Sequence, residues 1–257
     1  MNVAVVQARM GSSRLPGKVM KEMAGKPMIG HLFERVSRSK KINKVILATS
    51  ANASDDVLCA YAASLGIEVF RGSENDVLDR IYQAVKLYRP KAIVRVTADS
   101  PLQDPVILDA AIDFFLASGL DYVSSGANPP VFPDGMDSEI FTFIALEKAW
   151  RESTLLSERE HVTPYIKNSG HFNIGDFHPD IDYSAERWVV DNEEDYVLVR
   201  AIFEALYYDK PEFGIKEIMD FKSKNKEIFS LNKSIKKNEG YFKSLEKDRI
   251  YRNREEP

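Results

Sequence analysis

The apolar residues of this chain keep switching between two periods. Short, mostly apolar runs at Val3–Val6, Lys44–Ala48, Ile67–Phe70, Ala92–Val96 and Leu120–Val123 read as buried strands. Between them the spacing lengthens to three and four residues, the period of a helix with one face turned inward. Met28/Ile29, Leu32/Phe33 and Val36 predict the first helix. Ser54-Asp55 caps a second, with Val57, Leu58, Tyr61 and Leu65 on its apolar side and Gly66 as its stop. Asn75 or Asp76 opens a third, with Val77, Leu78, Ile81, Tyr82 and Val85 inward, and a fourth runs from Pro105 to about Ser118. Such alternation predicts an α/β fold. Its form is a doubly wound, mostly parallel, Rossmann-like sheet with its site at the strands' carboxyl ends.

From about Asn128 the rhythm changes. Asn128-Pro129-Pro130 and Phe132-Pro133-Asp134-Gly135 are turn chemistry, followed by a strand-like Ser138–Phe143 and a helix around Ala145–Glu152. A polar segment carrying Glu160-His161 and His171 extends to about Ser184. Arg187–Val190 reads as a strand, and Asp191 leads into a helix with Tyr196, Val199, Ile202, Phe203 and Leu206 on one side. The Lys/Asn-rich tail from Lys222 holds isolated apolar residues such as Ile228, Phe229 and Tyr241 and is expected to form a partly ordered arm. The chain therefore divides into a body, residues 1–221, interrupted at about 128–184, and a basic arm, residues 222–257. No internal repeat is present.

Composition narrows the class. A length of 257 residues buries a sizeable core without staples, and one cysteine excludes an internal disulfide. The net charge of −4 argues against a general nucleic-acid binder. It is unevenly spread: residues 222–257 hold eleven Lys/Arg against six Asp/Glu, and the rest hold 24 against 33. No apolar run approaches the ~20 residues of a membrane span. Val3–Val6 is too short for a signal peptide, so the expectation is a cytoplasmic protein with neither nucleic acid nor membrane as partner.

The densest chemistry follows the first strand, in the loop A-R-M-G-S-S-R-L-P-G-K, Ala8 to Lys18. Gly11 and Gly17 let backbone N–H groups approach a ligand closely, and Arg9, Arg14 and Lys18 supply charge. A strand, a cationic glycine-bearing loop and then a helix is how α/β folds hold polyphosphate. It is not a Walker A loop. The run from Gly11 to Gly17 is one residue too long, and Val19 stands where that motif needs Ser or Thr. Asp99 just past the fourth strand suits a metal or nucleotide, and equally suits a turn before Pro101. Asp191, with Glu194 three residues on, reads as an acidic capping box. His31 and Cys59 fall within helical segments and read as packing residues.

The wording Q-A-R-M-G-S-S-R-L-P-G-K-V resembles the opening of the cytidylyltransferase superfamily, which includes the CMP-sialate and CMP-Kdo synthetases, and is closest to its SpsF-like spore-coat polysaccharide branch. Five further blocks, Phe70–Arg80, Arg95–Pro105, Phe132–Phe141, Ser157–Ile166 and Arg187–Tyr196, follow in that branch's order over about the first 205 residues. The resemblance implies a nucleotide-diphospho-sugar transferase type of fold in which residues 128–184 build the acceptor pocket and much of a homodimer contact. It implies a magnesium-dependent transfer of CMP from CTP to a sugar acid or phosphorylated acceptor, with release of pyrophosphate, for surface polysaccharide or glycoconjugate synthesis. Asp99 and Asp191 match the metal-binding aspartates, with Arg14 and Lys18 as catalytic cations. Nucleotide contacts are expected from Ala8, Arg9, Gly11, Ser12, Ser13, Thr49, Ser50, Arg71, Asp76, Arg80 and Ala98, with Gln103 a further base or ribose candidate. Acceptor contacts are expected from Asp134, Asp137, Glu139, Arg159 and His161. Two other readings stay open: a UTP- or GTP-using sugar-1-phosphate nucleotidyltransferase, and a metal-dependent glycosyltransferase. The latter is disfavoured because Asp99-Ser100-Pro101 is not a D-x-D.

Overall fold

Strand β1 (Asn2–Gln7) lies at the centre of the molecule and shows why its sequence is an unbroken apolar run. It pairs in parallel with β4 (Lys44–Ser50) on one edge and β6 (Ala92–Thr97) on the other, so both its faces are covered. Successive side chains point to opposite faces. Val3 and Val5 join Ile46 and Ile93 under α3 (Val77–Val85) and α5 (Phe143–Glu152), where Leu78, Ile81 and Leu146 pack. Ala4 and Val6 join Leu47, Val94 and Val96 beneath α1 (Met28–Ser37), α4 (Pro105–Ser118) and α8 (Glu193–Leu206). Each of these strand valines is 0% exposed, worth roughly 1.5–3 kcal/mol against leaving it in water. Two cores on two faces make the fold doubly wound. The computed structural model describes residues 1–125, 131–178, 181–235 and 239–255, residue 239 and those beyond 250 by their backbone alone.

The sheet is mostly parallel. With β5 (Glu68–Gly72), β7 (Tyr122–Ser124), β8 (Glu139–Phe141) and β9 (Ile174–Asp176) it has seven strands in the order β5-β4-β1-β6-β8-β7-β9. Only β8 runs against its neighbours β6 and β7. The expected alternation of strands and helices holds through α4, and local chemistry sets several boundaries. The Asp76 carboxylate caps α3 by accepting from the Asp79 N–H, and Asp104 caps α4 just before Pro105. Gly119, with φ 68°, ends α4. Thr142 accepts from the Ala145 N–H and starts α5 two residues earlier than expected.

Several expectations need correction. Lys26-Pro27 (β3) pairs with Glu22-Met23 (β2) in a small hairpin too short to show any period. The polar stretch after residue 152 is not featureless: it forms α6 (Leu156–His161), α7 (Pro164–Asn168) and β9. Arg187–Val190 is not a strand. It has one bridge, to Asp134, because the N–H groups of Trp188 and Val189 both donate to the same Asp134 carbonyl, and that of Val190 donates to the Asp99 carbonyl. The turn at Asn128-Pro129-Pro130 lies outside the described residues. Lys222, where an arm was expected, falls inside α9 (Ile215–Lys224), and α10 (Glu239–Glu255) packs on α6.

Candidate active site

The loop after β1 is held by its own backbone and by one buried carboxylate. The Met10 carbonyl accepts from the N–H groups of Ser12 (2.9 Å) and Gly17 (3.1 Å), and the Ser12 hydroxyl accepts from the Leu15 N–H at 3.2 Å. Gly17 has φ 68°, a conformation that costs other residues roughly 1–2 kcal/mol. Leu15 and Val19 are buried and pin the loop to the core. Beneath it, Asp55 is 1% exposed and accepts from the Met10 N–H (2.7 Å), the Thr49 hydroxyl (2.9 Å) and both the N–H and hydroxyl of Ser50. Burial raises the Asp55 carboxyl, but these donors win and hold it below its ordinary value. Sequence had assigned Asp55 to helix capping; its role as the loop's anchor depends on β4 lying next to β1.

With the loop so fixed, its cations converge on the two distant aspartates. The Lys18 ammonium donates to the Val190 carbonyl (2.7 Å), to Asp191 Oδ1 (3.0 Å) and to Asp99 Oδ2 (3.4 Å), and Arg14 meets the same Asp191 oxygen at 2.8 Å. The Asp99 and Asp191 side chains are 28% and 17% exposed, so they open onto a cleft while most of their surface is enclosed. Burial pushes the Asp99 carboxyl up, and Lys18 and the Thr97 hydroxyl more than offset it, leaving it below the usual carboxylate value. Asp191 does not cap α8. Asn192 is the N-cap, and Asp195 at its third position accepts from the N–H groups of Asp191 and Asn192, which leaves the Asp191 carboxylate for the cleft.

The other nucleotide-side candidates divide. Ala8 and Ala98 lie at the strand ends bordering the cleft, bonded through their N–H groups to the Ala48 and Gln7 carbonyls. Gly11 and Ser13 are exposed on the loop, and Arg9 pairs with Glu74 at 2.9 Å. Glu74 also accepts from Asn52 at 2.7 Å, tying the loop to the β5–α3 connection. Sequence gave no signal for either residue. Thr49 and Ser50 turn their hydroxyls inward to Asp55 rather than toward a base. Arg71 binds Asp56 (2.6 Å) and the carbonyls of Ser50 and Asn52, bracing that rim. Arg80 is 2% exposed and donates to the Ser73 carbonyl; burial lowers it to about 10. Gln103 is 1% exposed and donates to the Asp137 carbonyl, so it supports the cleft wall and does not face a ribose.

The acceptor-side candidates are mostly engaged within the protein. Arg159 grips Asp76 through two nitrogens and donates to the Trp150 carbonyl, joining α6 to the N-terminus of α3. Its position on a third element explains why spacing could not separate it from a solvated helix face. Glu139 accepts from Tyr122 (2.7 Å), Thr163 (2.6 Å), Lys167 (3.2 Å) and Arg95. Burial raises its carboxyl, and the Lys167 and Arg95 cations with the two hydroxyls pull it far below the usual range. His161 bonds the Ser244 hydroxyl of α10 at 3.0 Å, and burial lowers its pKa. Asp134 meets Arg187 at 2.7 Å. Asp137 is exposed and accepts from the Gly135 N–H at 3.1 Å; surrounding protein pushes its carboxyl up, the Gly135 bond opposes this, and the charges of Glu139 and Asp99 add to the rise. His31 packs as expected, its Nε2 2.6 Å from the Met23 carbonyl and its ring against Phe203. A separate open cavity of about 540 Å³ between α6, α7 and α10 is lined by none of these cleft residues.

A doubly wound sheet with a cationic loop facing paired aspartates over the ends of β1 and β6 defines a nucleotide-handling enzyme of the nucleotidyltransferase class. The comparisons give the family. Residues 3–254 match the model of the cytidylyltransferase family, and the chain belongs to it. It is 37% identical to an uncharacterized protein of Methanocaldococcus jannaschii, over 91% of this chain and 95% of that one. It is 31% identical to the spore coat polysaccharide biosynthesis protein SpsF of Bacillus subtilis, over 86% and 93%. Its fold superposes on a solved cytidylyltransferase structure from Leptospira borgpetersenii with TM-score 0.84 and 34% identity, covering 91% of this chain and 98% of that one. The chain is thus an enzyme that uses CTP for nucleotidyl transfer.

Proposed function

We propose that this enzyme transfers CMP from CTP to a small sugar acid or phosphorylated acceptor with magnesium as cofactor, releasing pyrophosphate, and that it serves surface polysaccharide synthesis. The observation that carries the reading is Lys18 Nζ lying within 3.4 Å of both Asp99 and Asp191. One cation held between two cleft-facing carboxylates marks a place built for positive charge beside a loop built for negative charge.

The residues fit magnesium. Among the described residues no group of three or more His, Cys, Asp or Glu is arranged to hold a metal, so no all-protein cage is on offer. Magnesium is commonly bound by one or two carboxylates, with phosphates and waters completing its shell. Asp99 and Asp191 would supply the two, and the ion would neutralise charge building on the α-phosphate and the leaving pyrophosphate. The protein's own part is positioning. The N–H groups of Gly11 and Ser13 and the Arg14 and Lys18 side chains bind the triphosphate, and Lys18 moves from the carboxylates to the phosphates as the nucleotide enters. The name of the Bacillus relative supports the polysaccharide setting. A homodimer formed through residues 128–184 belongs to the same proposal.

The test is pyrophosphate release measured across the four NTPs against acidic and phosphorylated acceptors, with and without EDTA. Release confined to CTP, requiring an acceptor and abolished by EDTA, is the expected result. A preference for UTP or GTP with sugar 1-phosphates would overturn it, as would sugar-nucleotide hydrolysis without pyrophosphate.

A further inference from the structure

Asp191 lies in the bend just before α8, and its backbone is not held by regular structure. Its N–H and that of Asn192 both donate to Asp195 Oδ2, each at 3.1 Å. Asp195 is 0% exposed. Its two oxygens take a bidentate fork from Arg187, Nε at 3.0 Å and the terminal nitrogen at 2.9 Å. The same guanidinium reaches Asp134 at 2.7 Å and stands 3.6 Å from Asp191 Oδ2. A further donor comes from far along the chain. The Asn232 amide, 3% exposed, donates to Asp195 Oδ1 at 2.9 Å and to the Arg187 carbonyl at 3.0 Å. It is seated there by the 3₁₀ turn Ile228–Ser230, whose Phe229 is 4% exposed and packs on Phe221.

We propose that Asn232, Asp195 and Arg187 form a positioning set that fixes Asp191 for metal binding, so that the segment after residue 222 completes the active site. This rests on the reading of Asp191 as a magnesium ligand. Asn232 is the informative member because it touches neither cleft nor ligand. It is suited to the place because its NH₂ faces two acceptors. A carboxylate there would face the Asp195 oxygen and the Arg187 carbonyl with no proton to give, and would drive Asp195 away from the Asp191 N–H. Groups that orient a metal-binding residue typically cost about 10–100-fold in metal affinity when changed.

The experiment uses the full-length chain, Mn²⁺ as probe and CTP present, with bound Mn²⁺ read by EPR and no turnover involved. Urea unfolding of each variant checks that it is folded. Asn232→Asp, which keeps the shape, is expected to weaken Mn²⁺ binding about 10-fold or more, and Asn232→Ala by less, with CTP binding in the absence of metal within about twofold of wild type. A folded Asn232→Asp with wild-type Mn²⁺ affinity overturns the proposal. So does the reverse order, Ala weaker than Asp, which loss of packing alone would give. Should Asn232→Asp not fold, Asn232→Ala decides: weaker Mn²⁺ binding with metal-free CTP binding within about twofold of wild type supports the set, and unchanged Mn²⁺ binding, or an equal loss of metal-free CTP binding, overturns it. If wild type binds no Mn²⁺ in the presence of CTP, the metal reading of Asp191 has failed and takes this one with it. Failure in the variants alone leaves that reading standing.

Discussion

Asp55→Asn tests whether the loop after β1 is held from below. The substitution keeps the shape of the side chain, so only charge and hydrogen bonding change. Oδ1, facing the Met10 N–H at 2.7 Å, remains an oxygen, but that bond passes from charge-assisted to neutral, a loss of about 1 kcal/mol. The other end becomes an NH₂ facing three donors. The Thr49 and Ser50 hydroxyls can rotate and accept, but the Ser50 N–H cannot, and a buried donor without a partner costs about 1–3 kcal/mol. The expected destabilisation is therefore about 2–4 kcal/mol by urea unfolding. If the loop detaches and must be re-closed by the nucleotide, the lower figure alone predicts a rise in the KM for CTP of about 30-fold, with kcat changed much less. A pH series adds a check of sign. Asp55 titrates below its unfolded value, so the stabilisation is full above the unfolded pKa near ~3.9 and is lost as pH falls through the lower folded value. Wild type should lose stability in that acid window, while Asp55→Asn should lack this part of the dependence. A variant within about 0.5 kcal/mol of wild type and within twofold in KM would refute the anchoring argument.

Other expectations follow from the same geometry. Asp99→Asn or Asp191→Asn should lower turnover by ~10² or more, the scale of losing one transition-state stabiliser, and near-normal pyrophosphate release by both would remove them from the mechanism. Gly135→Ala should destabilise by more than about 3 kcal/mol or abolish soluble expression, because at φ 102° its Cβ would stand 2.3 Å from the Val189 nitrogen; urea unfolding decides. Gly17→Ala should be milder, about 1–2 kcal/mol, since the added carbon meets only the Met10 methyl at 3.5 Å and the cost is that of φ 68°. Arg159→Ala should lower stability by about 1–3 kcal/mol through loss of the Asp76 and Trp150 contacts and leave the acceptor KM near wild type. A large rise in that KM with unchanged stability would return Arg159 to the acceptor site.

What sequence alone determined was whatever is periodic or local. The double burial of Val3–Val6, the 3.6-residue spacing of Leu78, Ile81 and Val85, and the Asp104-Pro105 start of α4 each need only neighbours within a turn or a strand to declare themselves. The glycines and cations of the loop were legible for the same reason. Contacts between distant segments were not. Thr49 and Ser50 are polar residues at a strand end and look free, but β4 sets them beside Asp55, and the loop claims Asp55 from above. Arg187–Val190 has strand-like residues, but no strand edge stands beside it among the described residues; its N–H groups reach the separate carbonyls of Asp134 and Asp99. Glu139 and Arg159 look like candidate ligands until β6, α3 and α7 supply their partners. Asn232, in a stretch with no period at all, reaches the Asp195 carboxylate that holds the Asp191 N–H because the chain after α9 folds back on it. Hydrophobic pattern fixes which face of an element is buried. Which polar groups meet there depends on the pairing of segments tens to hundreds of residues apart, and only the tertiary structure decides that.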